Sequence, residues 1–293
     1  GSFADSGTED AQAAISAARR AFDRPDWAQN PRLRQMVMLR WADRLEQRSD
    51  ELARLLTREN GKVQPQSHGE IASAISEIRY YAGLARFIPG HMFEVEPGEF
   101  SSLLKEPAGV VGLIIPWNSP VVLLIRALTP ALAAGCTAVI KPAPQTSLIT
   151  AAVIADLHAV SGLPAGVVNL VSERGHEVAQ ALVTSSEVDV ISFTGSNATG
   201  QRIMADAAPT MKKLSLELGG KSACLVFEDT DIAKVAPQLA AAATIISGQQ
   251  CTAARRVLVH ESRYAEMKAA LKAALAAMVV APGDSPGSQI GPL

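Results

Sequence analysis

Six short apolar runs of β-strand character punctuate this chain, at 109–115, 136–140, 167–171, 188–193, 213–218 and 223–227, with helical patterns between them. Strand, helix, strand repeated in this way implies a parallel sheet covered by helices on both faces, a Rossmann-like α/β fold. Such sheets take their ligands at the carboxyl ends of the strands. The informative residues are therefore expected just after the runs. With 48% hydrophobic and 19% charged residues, the chain can bury a substantial core and is not disordered. Its 293 residues suit one large domain or two ordinary ones.

Helices flank this alternation. Thr8, Glu9 and Asp10 form a helix-start signature, followed by an alanine-rich segment to Phe22. Asn30-Pro31 opens a second helix, whose Leu33, Val37, Trp41, Leu45, Leu52 and Leu55 keep a helical period up to Asn60-Gly61. A third is expected from Ser67 to Phe87, ended by Pro89-Gly90, with a hairpin between Phe93 and Glu106. Beyond the last run, Asp231 caps a helix reaching Ile246, Arg255 to His260 reads as a strand and Ser262 to Met278 as a helix.

Several function classes are disfavoured. The formal net charge is −2, and no basic stripe suits nucleic acid or a membrane surface. Cys136, Cys224 and Cys251 are far apart, with no CxxC, so neither a disulfide framework nor a zinc or other metal site is expected. A reduced, cytoplasmic setting follows as the expectation. The longest membrane candidate, Val110 to Leu128, is interrupted by Pro116, Asn118, Pro120 and Arg126. The stretch from Gly1 to Asp5 lacks the basic start of a signal peptide.

The residues able to carry chemistry each admit two readings. Phe193-Thr194-Gly195-Ser196, with Gly200, ends a strand and begins a helix, where backbone amides attract a diphosphate; it can also be an ordinary turn. Lys141 follows the strand Thr137 to Ile140 and can reach a ribose hydroxyl or phosphate, or face solvent. Asn118 follows Pro116-Trp117 and can donate to an oxyanion, or serve the turn before Ser119-Pro120. Cys251 lies in a helix-to-strand connection, where a thiol can be accessible and reactive, whereas Cys136 and Cys224 read as inert core residues. Glu217 interrupts Leu214-Ser215-Leu216-Glu217-Leu218. Partial burial would suit it to general-base work, while alternation places it with Ser215 on an outward face.

In their order and spacing, Pro116-Trp117-Asn118, Lys141-Pro142, Phe193-Thr194-Gly195-Ser196, Glu217-Leu218-Gly219-Gly220-Lys221 and Gly248-Gln249-Gln250-Cys251 resemble the aldehyde dehydrogenase superfamily, as does Gly291-Pro292-Leu293. The resemblance implies an NAD(P)-binding domain with N-terminal helices over 1–218, and over 219–293 the first part of a second α/β catalytic domain. It implies Cys251 as nucleophile, Asn118 and the Cys251 amide as oxyanion donors, and Glu217 as activator of water. Lys141 would hold the adenosine ribose and Gly195 and Ser196 the diphosphate. Ile115, Pro116, Trp117 and Leu218 would line the cofactor cleft. The activity implied is oxidation of an aldehyde to an acid through a cysteine thioester, by a homodimer or homotetramer.

Three departures from the family pattern matter. Pro144 stands where many NAD-preferring relatives carry Glu, so NADP is expected to be tolerated as well as NAD, or even preferred to it; Glu173 complicates this, occupying a place where relatives often carry glycine near the adenine. Ser119 replaces an aromatic residue at the substrate tunnel. The chain is also expected to be incomplete, starting after an N-terminal hairpin and stopping within the catalytic domain. Two alternatives stay open: a CoA-acylating dehydrogenase, against which Glu217 argues, and a non-catalytic scaffold or binding fragment.

Overall fold

In the computed structural model, which describes residues 1–293, the chain opens with five helices. These are α1 (Thr8–Phe22), α2 (Pro25–Ala28), α3 (Pro31–Gln47), α4 (Ser49–Asn60) and α5 (Gln64–Leu84). An antiparallel hairpin follows, β1 (His91–Glu96) and β2 (Glu99–Leu103). The alternating part runs β3 (Val110–Ile114), α6 (Pro120–Ala134), β4 (Thr137–Lys141), α7 (Ser147–His158), β5 (Val168–Leu170), α8 (Glu177–Thr184), β6 (Val190–Thr194), α9 (Asn197–Ala207) and β7 (Lys213–Glu217). Then come β8 (Ala223–Val226), α10 (Ile232–Thr244), β9 (Arg256–Val259) and α11 (Tyr264–Ala276).

Five strands form one parallel sheet in the order β5-β4-β3-β6-β7. The chain winds outward from β3 to β5, then returns to the other side of β3 with β6. The strand order reverses there, and such a reversal opens a crevice at the strands' carboxyl ends. Every residue of β3 and β4 is buried, as a sheet covered on both faces requires. Val111, Leu113, Ala138 and Ile140 face a core shared with helices α3 to α7. Val110, Ile114 and Val139 face a second core shared with α1, α8 and α9. Each fully buried Leu or Ile in these layers contributes on the order of 1.5–3 kcal/mol.

Two expectations are corrected and one element is added. The helical period from Leu33 to Leu55 suggested one helix, but it breaks at Arg48, whose backbone is non-helical (φ −109°, ψ 12°). The cause is tertiary: Arg48 reaches Asp156 of α7 and Glu51, each at 2.6 Å. Its carbonyl then starts α4 by accepting from the Leu52 N–H. Secondly, the run at 223–227 does not join the main sheet. Gly219, Gly220 and Lys221, the last with φ 54°, lead the chain away. β8 pairs in parallel with β9 over a separate small core of Val226, Ile232, Ala236, Leu239 and Met267. Thirdly, the short α2 went unread in the sequence; it starts with Pro25 in its first turn and buries Trp27.

No helix is long and apolar enough to cross a membrane. No group of three or more His, Cys, Asp or Glu side chains is placed to hold a metal ion.

Candidate active site

Pro116, Trp117 and Asn118 form the loop from β3 into α6, and distant side chains fix it. Ser119 stands at the helix N-cap but makes no capping bond through its side chain. Glu70 of α5 takes over, accepting from the N–H groups of Val121 (2.9 Å) and Val122 (3.2 Å). A carboxylate satisfies both the free amides and the helix dipole. Glu70 is also ion-paired with Lys62, and both side chains are buried. The Trp117 carbonyl accepts from Asn60 Nδ2 at 2.6 Å. Asn118 reaches across the cleft, donating Nδ2–H to the Gln249 carbonyl at 2.9 Å.

Gln249 belongs to the turn that carries Cys251. After α10 the backbone passes through left-handed φ at Ile246 (50°), Ser247 (52°) and Gly248 (75°). This conformation costs glycine nothing but is uncommon for isoleucine. Tethers hold it: the Ile246 N–H donates to Gln66 Oε1 at 3.3 Å and Ser247 Oγ to the Gly291 carbonyl at 2.8 Å. Cys251 emerges exposed, in the expected connection between helix and strand. Cys136 is buried, and burial pushes its thiol pKa up. Cys224 is only half-buried, on β8 against the small core, rather than a full core residue.

Glu217 ends β7, opposite Thr194 in register, and its carbonyl accepts from the Gly195 N–H at 3.0 Å. It is exposed together with Lys213 and Ser215, while Leu214 and Leu216 are half-buried. The outward-facing reading describes this strand, and the carboxylate does not enter a buried site. It does face the cleft: Asn118, Glu217 and Cys251 line one cavity of about 840 Å³, with Pro116, Trp117, Gly195 and Leu218. Leu123, Arg126 and Ala127 of α6 and Arg255 line it too, and sequence reasoning missed them. The first three share one helix face by their spacing, a signal that could have found them.

A second cavity, about 450 Å³, lies between α8 and α9, walled by Ile114, Ala179, Val183, Phe193, Ala198 and Ile203. The N-terminus of α9 stands beside it. Ser196 caps this helix, its Oγ accepting from the Thr199 N–H at 3.2 Å. The first intrahelical bond runs from Gly200 N–H to the Ser196 carbonyl, so the amides of Asn197 and Ala198 point out of the helix. A Cβ at Gly195 would lie 2.4 Å from the Phe193 ring, and one at Gly200 2.8 Å from Leu218. Those close approaches fix the α9 N-terminus over β6 and β7. An apolar slot beside outward-pointing amides fits the adenine and diphosphate of a dinucleotide.

Two expected cofactor residues lie behind the cavity walls rather than in them. The Ile115 side chain is buried in the larger core, and Ile114 takes the place at the slot, because neighbouring residues of a strand point to opposite faces. Lys141 is neither solvent-facing nor in a cavity wall. It is buried, with Nζ 3.5 Å from Glu173 Oε1.

Comparison with known proteins agrees with this fold. The family model described as "Aldehyde dehydrogenase family" matches residues 1–293. A mitochondrial succinate-semialdehyde dehydrogenase of Arabidopsis thaliana is 40% identical over 292 residues, covering 98% of this chain and 54% of that protein. A crystal structure of betaine aldehyde dehydrogenase from Staphylococcus aureus in complex with NAD+ superposes with a TM-score of 0.96 at 34% identity, over 99% of this chain and 58% of that one. An E. coli NADP-dependent enzyme gives 0.94 at 36% identity, over 100% of this chain and 61% of that one. The chain thus spans little more than half the length of these relatives. Matched by that family model from its first residue to its last, the chain belongs to the aldehyde dehydrogenase family.

Proposed function

We propose that this chain carries the dinucleotide-binding region and the nucleophile of an enzyme that oxidises an aldehyde to a carboxylic acid with NAD or NADP. Residues 1–218 are read as the cofactor-binding domain and 219–293 as the opening of the catalytic domain. The observation that carries the reading is the single cavity shared by Cys251, Asn118 and Glu217.

The Cys251 thiolate forms a C–S bond to the aldehyde carbon, and the carbonyl electron pair moves onto oxygen. A carboxamide nitrogen has two N–H groups. With one of Asn118 donated to Gln249, the other is available to the oxyanion. The bound nicotinamide supplies a hydride acceptor. With hydride gone and the C=O restored, Cys251 is left as a thioester. Glu217 then takes a proton from water, whose oxygen attacks the thioester carbon. The C–S bond breaks, returning the thiolate and releasing the acid. The slot between α8 and α9 would hold adenine, and the Asn197 and Ala198 amides with Ser196 would hold the diphosphate.

A reduced compartment is part of the reading, since all three cysteines are free. So is a homo-oligomer: the hairpin β1–β2 is exposed throughout and carries Met92, Phe93, Val95 and Phe100, apolar side chains for a second copy to cover. The test is a panel of aldehydes offered to the full-length protein with NAD and NADP. Reduced cofactor and free acid are expected in equal amounts. Acyl-CoA formed in the presence of CoA, or no turnover with any aldehyde, overturns the proposal.

A further inference from the structure

The buried ion pair between Lys141 and Glu173 lies behind the wall of the slot between α8 and α9. Lys141 is in register beside Ile114, a wall of that slot, and His176, on the same loop as Glu173, lines it too. Lys141 is 8% exposed and Glu173 1%. The carboxylate is held by Lys141 Nζ at 3.5 Å and by the N–H groups of Val178 and Ala179, in the first turn of α8, at 2.9 and 3.1 Å. Every partner is a donor, so the position is built for a negative charge.

Two neighbouring cations are paired as well. Arg174 meets Asp5 at 2.9 Å, and Arg202, which lines the slot, meets Asp206 at 3.6 Å. The loop after β4, Lys141-Pro142-Ala143-Pro144-Gln145-Thr146, contains no acid. Taken without its surroundings, that loop would leave Lys141 free for an extra phosphate. Glu173 brings a carboxylate to the same lysine from the loop between β5 and α8.

We propose that Glu173 is the specificity-determining residue for the dinucleotide, neutralising Lys141 from within so that NADP is accepted but bound more weakly than NAD. A phosphate on the 2′ oxygen gives up hydration on binding and needs an uncompensated cation in return. Here it meets a lysine already paired, and a fixed carboxylate that repels it. A 2′-hydroxyl is neutral and feels no such penalty. It can use a donor of Lys141 that Glu173 leaves free, since an ammonium has three. The inference rests on the reading of the slot as the adenosine site.

Calorimetric dissociation constants for NAD and NADP, measured on the full-length protein without aldehyde, test it. NAD is expected to bind about tenfold more tightly than NADP. Glu173→Gln keeps one acceptor oxygen, for the Val178 or the Ala179 amide, and removes the charge. It is expected to tighten NADP by roughly tenfold and to change NAD by less than about threefold. An unchanged ratio in the variant, or tighter binding of NADP by the unaltered protein, overturns the role of Glu173 and leaves the proposed function standing. If neither dinucleotide binds the unaltered protein, the proposed function falls and this inference with it. Should the variant not fold, the unaltered protein still decides: tighter binding of 5′-AMP than of adenosine 2′,5′-bisphosphate is expected, and the reverse order overturns the inference.

Discussion

The Asn118 carboxamide donates to the carbonyl of Gln249, two residues before Cys251, at 2.9 Å. One bond therefore ties the loop after β3 to the turn that presents the thiol, across 131 residues of sequence. In the proposed chemistry the same group also faces the developing oxyanion. Replacing it removes a tether and a donor together. Loss of one such donor typically costs about 2.7–4 kcal/mol of transition-state stabilisation. Asn118→Ala is expected to lower kcat of the full-length enzyme by roughly a hundredfold or more. Amide exchange at Gln249 and Gln250 should also become faster. Normal turnover in this variant would remove Asn118 from the mechanism.

The three thiols should separate cleanly. Cys251 is exposed, whereas Cys136 is buried with its pKa raised, chiefly by desolvation. With a small alkylating reagent under native conditions, Cys251 is expected to react fastest, and bound NAD to change its rate. Cys224, half-buried on β8, should react more slowly, and Cys136 only on unfolding. Peptide mapping of the alkylated protein reads the order directly, and equal rates at all three thiols contradict it.

Much of this fold was legible before any coordinates. Strands β3, β4, β6 and β7 fall within a residue or two of their apolar runs: β3 and β4, buried on both faces, are apolar along their length, while β7 alternates half-buried leucines with exposed residues. Asp231 capped α10 as its position suggested, with its side chain accepting from the Lys234 N–H. What could not be read depends on partners far away in sequence. The break at Arg48 is set by Asp156, the cap of α6 by Glu70, and the pairing of β8 by a strand not yet reached. In the site, the loop of Asn118 and the turn of Cys251 were identifiable by residue type and position. The slot between α8 and α9 was not, because its walls come from two strands and two helices that alternate only with core residues.

Glu217 should separate the two halves of the reaction. Without a base the thioester can form but is hydrolysed slowly, and general-base catalysis typically contributes about 10²–10⁴-fold. In Glu217→Gln, stopped-flow mixing with aldehyde is expected to give a burst of reduced cofactor of about one equivalent per site. Steady turnover should then be at least a hundredfold slower. A variant with no burst and undiminished steady turnover would exclude Glu217 as the base.

Glu70 is predicted to matter for stability more than for chemistry. It is buried, caps α6 and neutralises Lys62. Removing one partner of a buried pair typically costs about 3–5 kcal/mol. Glu70→Ala is expected to destabilise the protein by that order, while Glu70→Ala combined with Lys62→Met should recover part of the loss. Chaotrope denaturation measures both, and a fully stable single variant contradicts the assigned role.

In the proposed chemistry Cys251 carries the substrate as a thioester. The most direct measurement is an acid quench of the Glu217→Gln protein during turnover with aldehyde and NAD, followed by peptide mass spectrometry. The acyl mass is expected on the peptide containing Cys251 and on no other. An acyl group on Cys136, Cys224 or another side chain, or its absence from Cys251 while reduced cofactor accumulates, would contradict it.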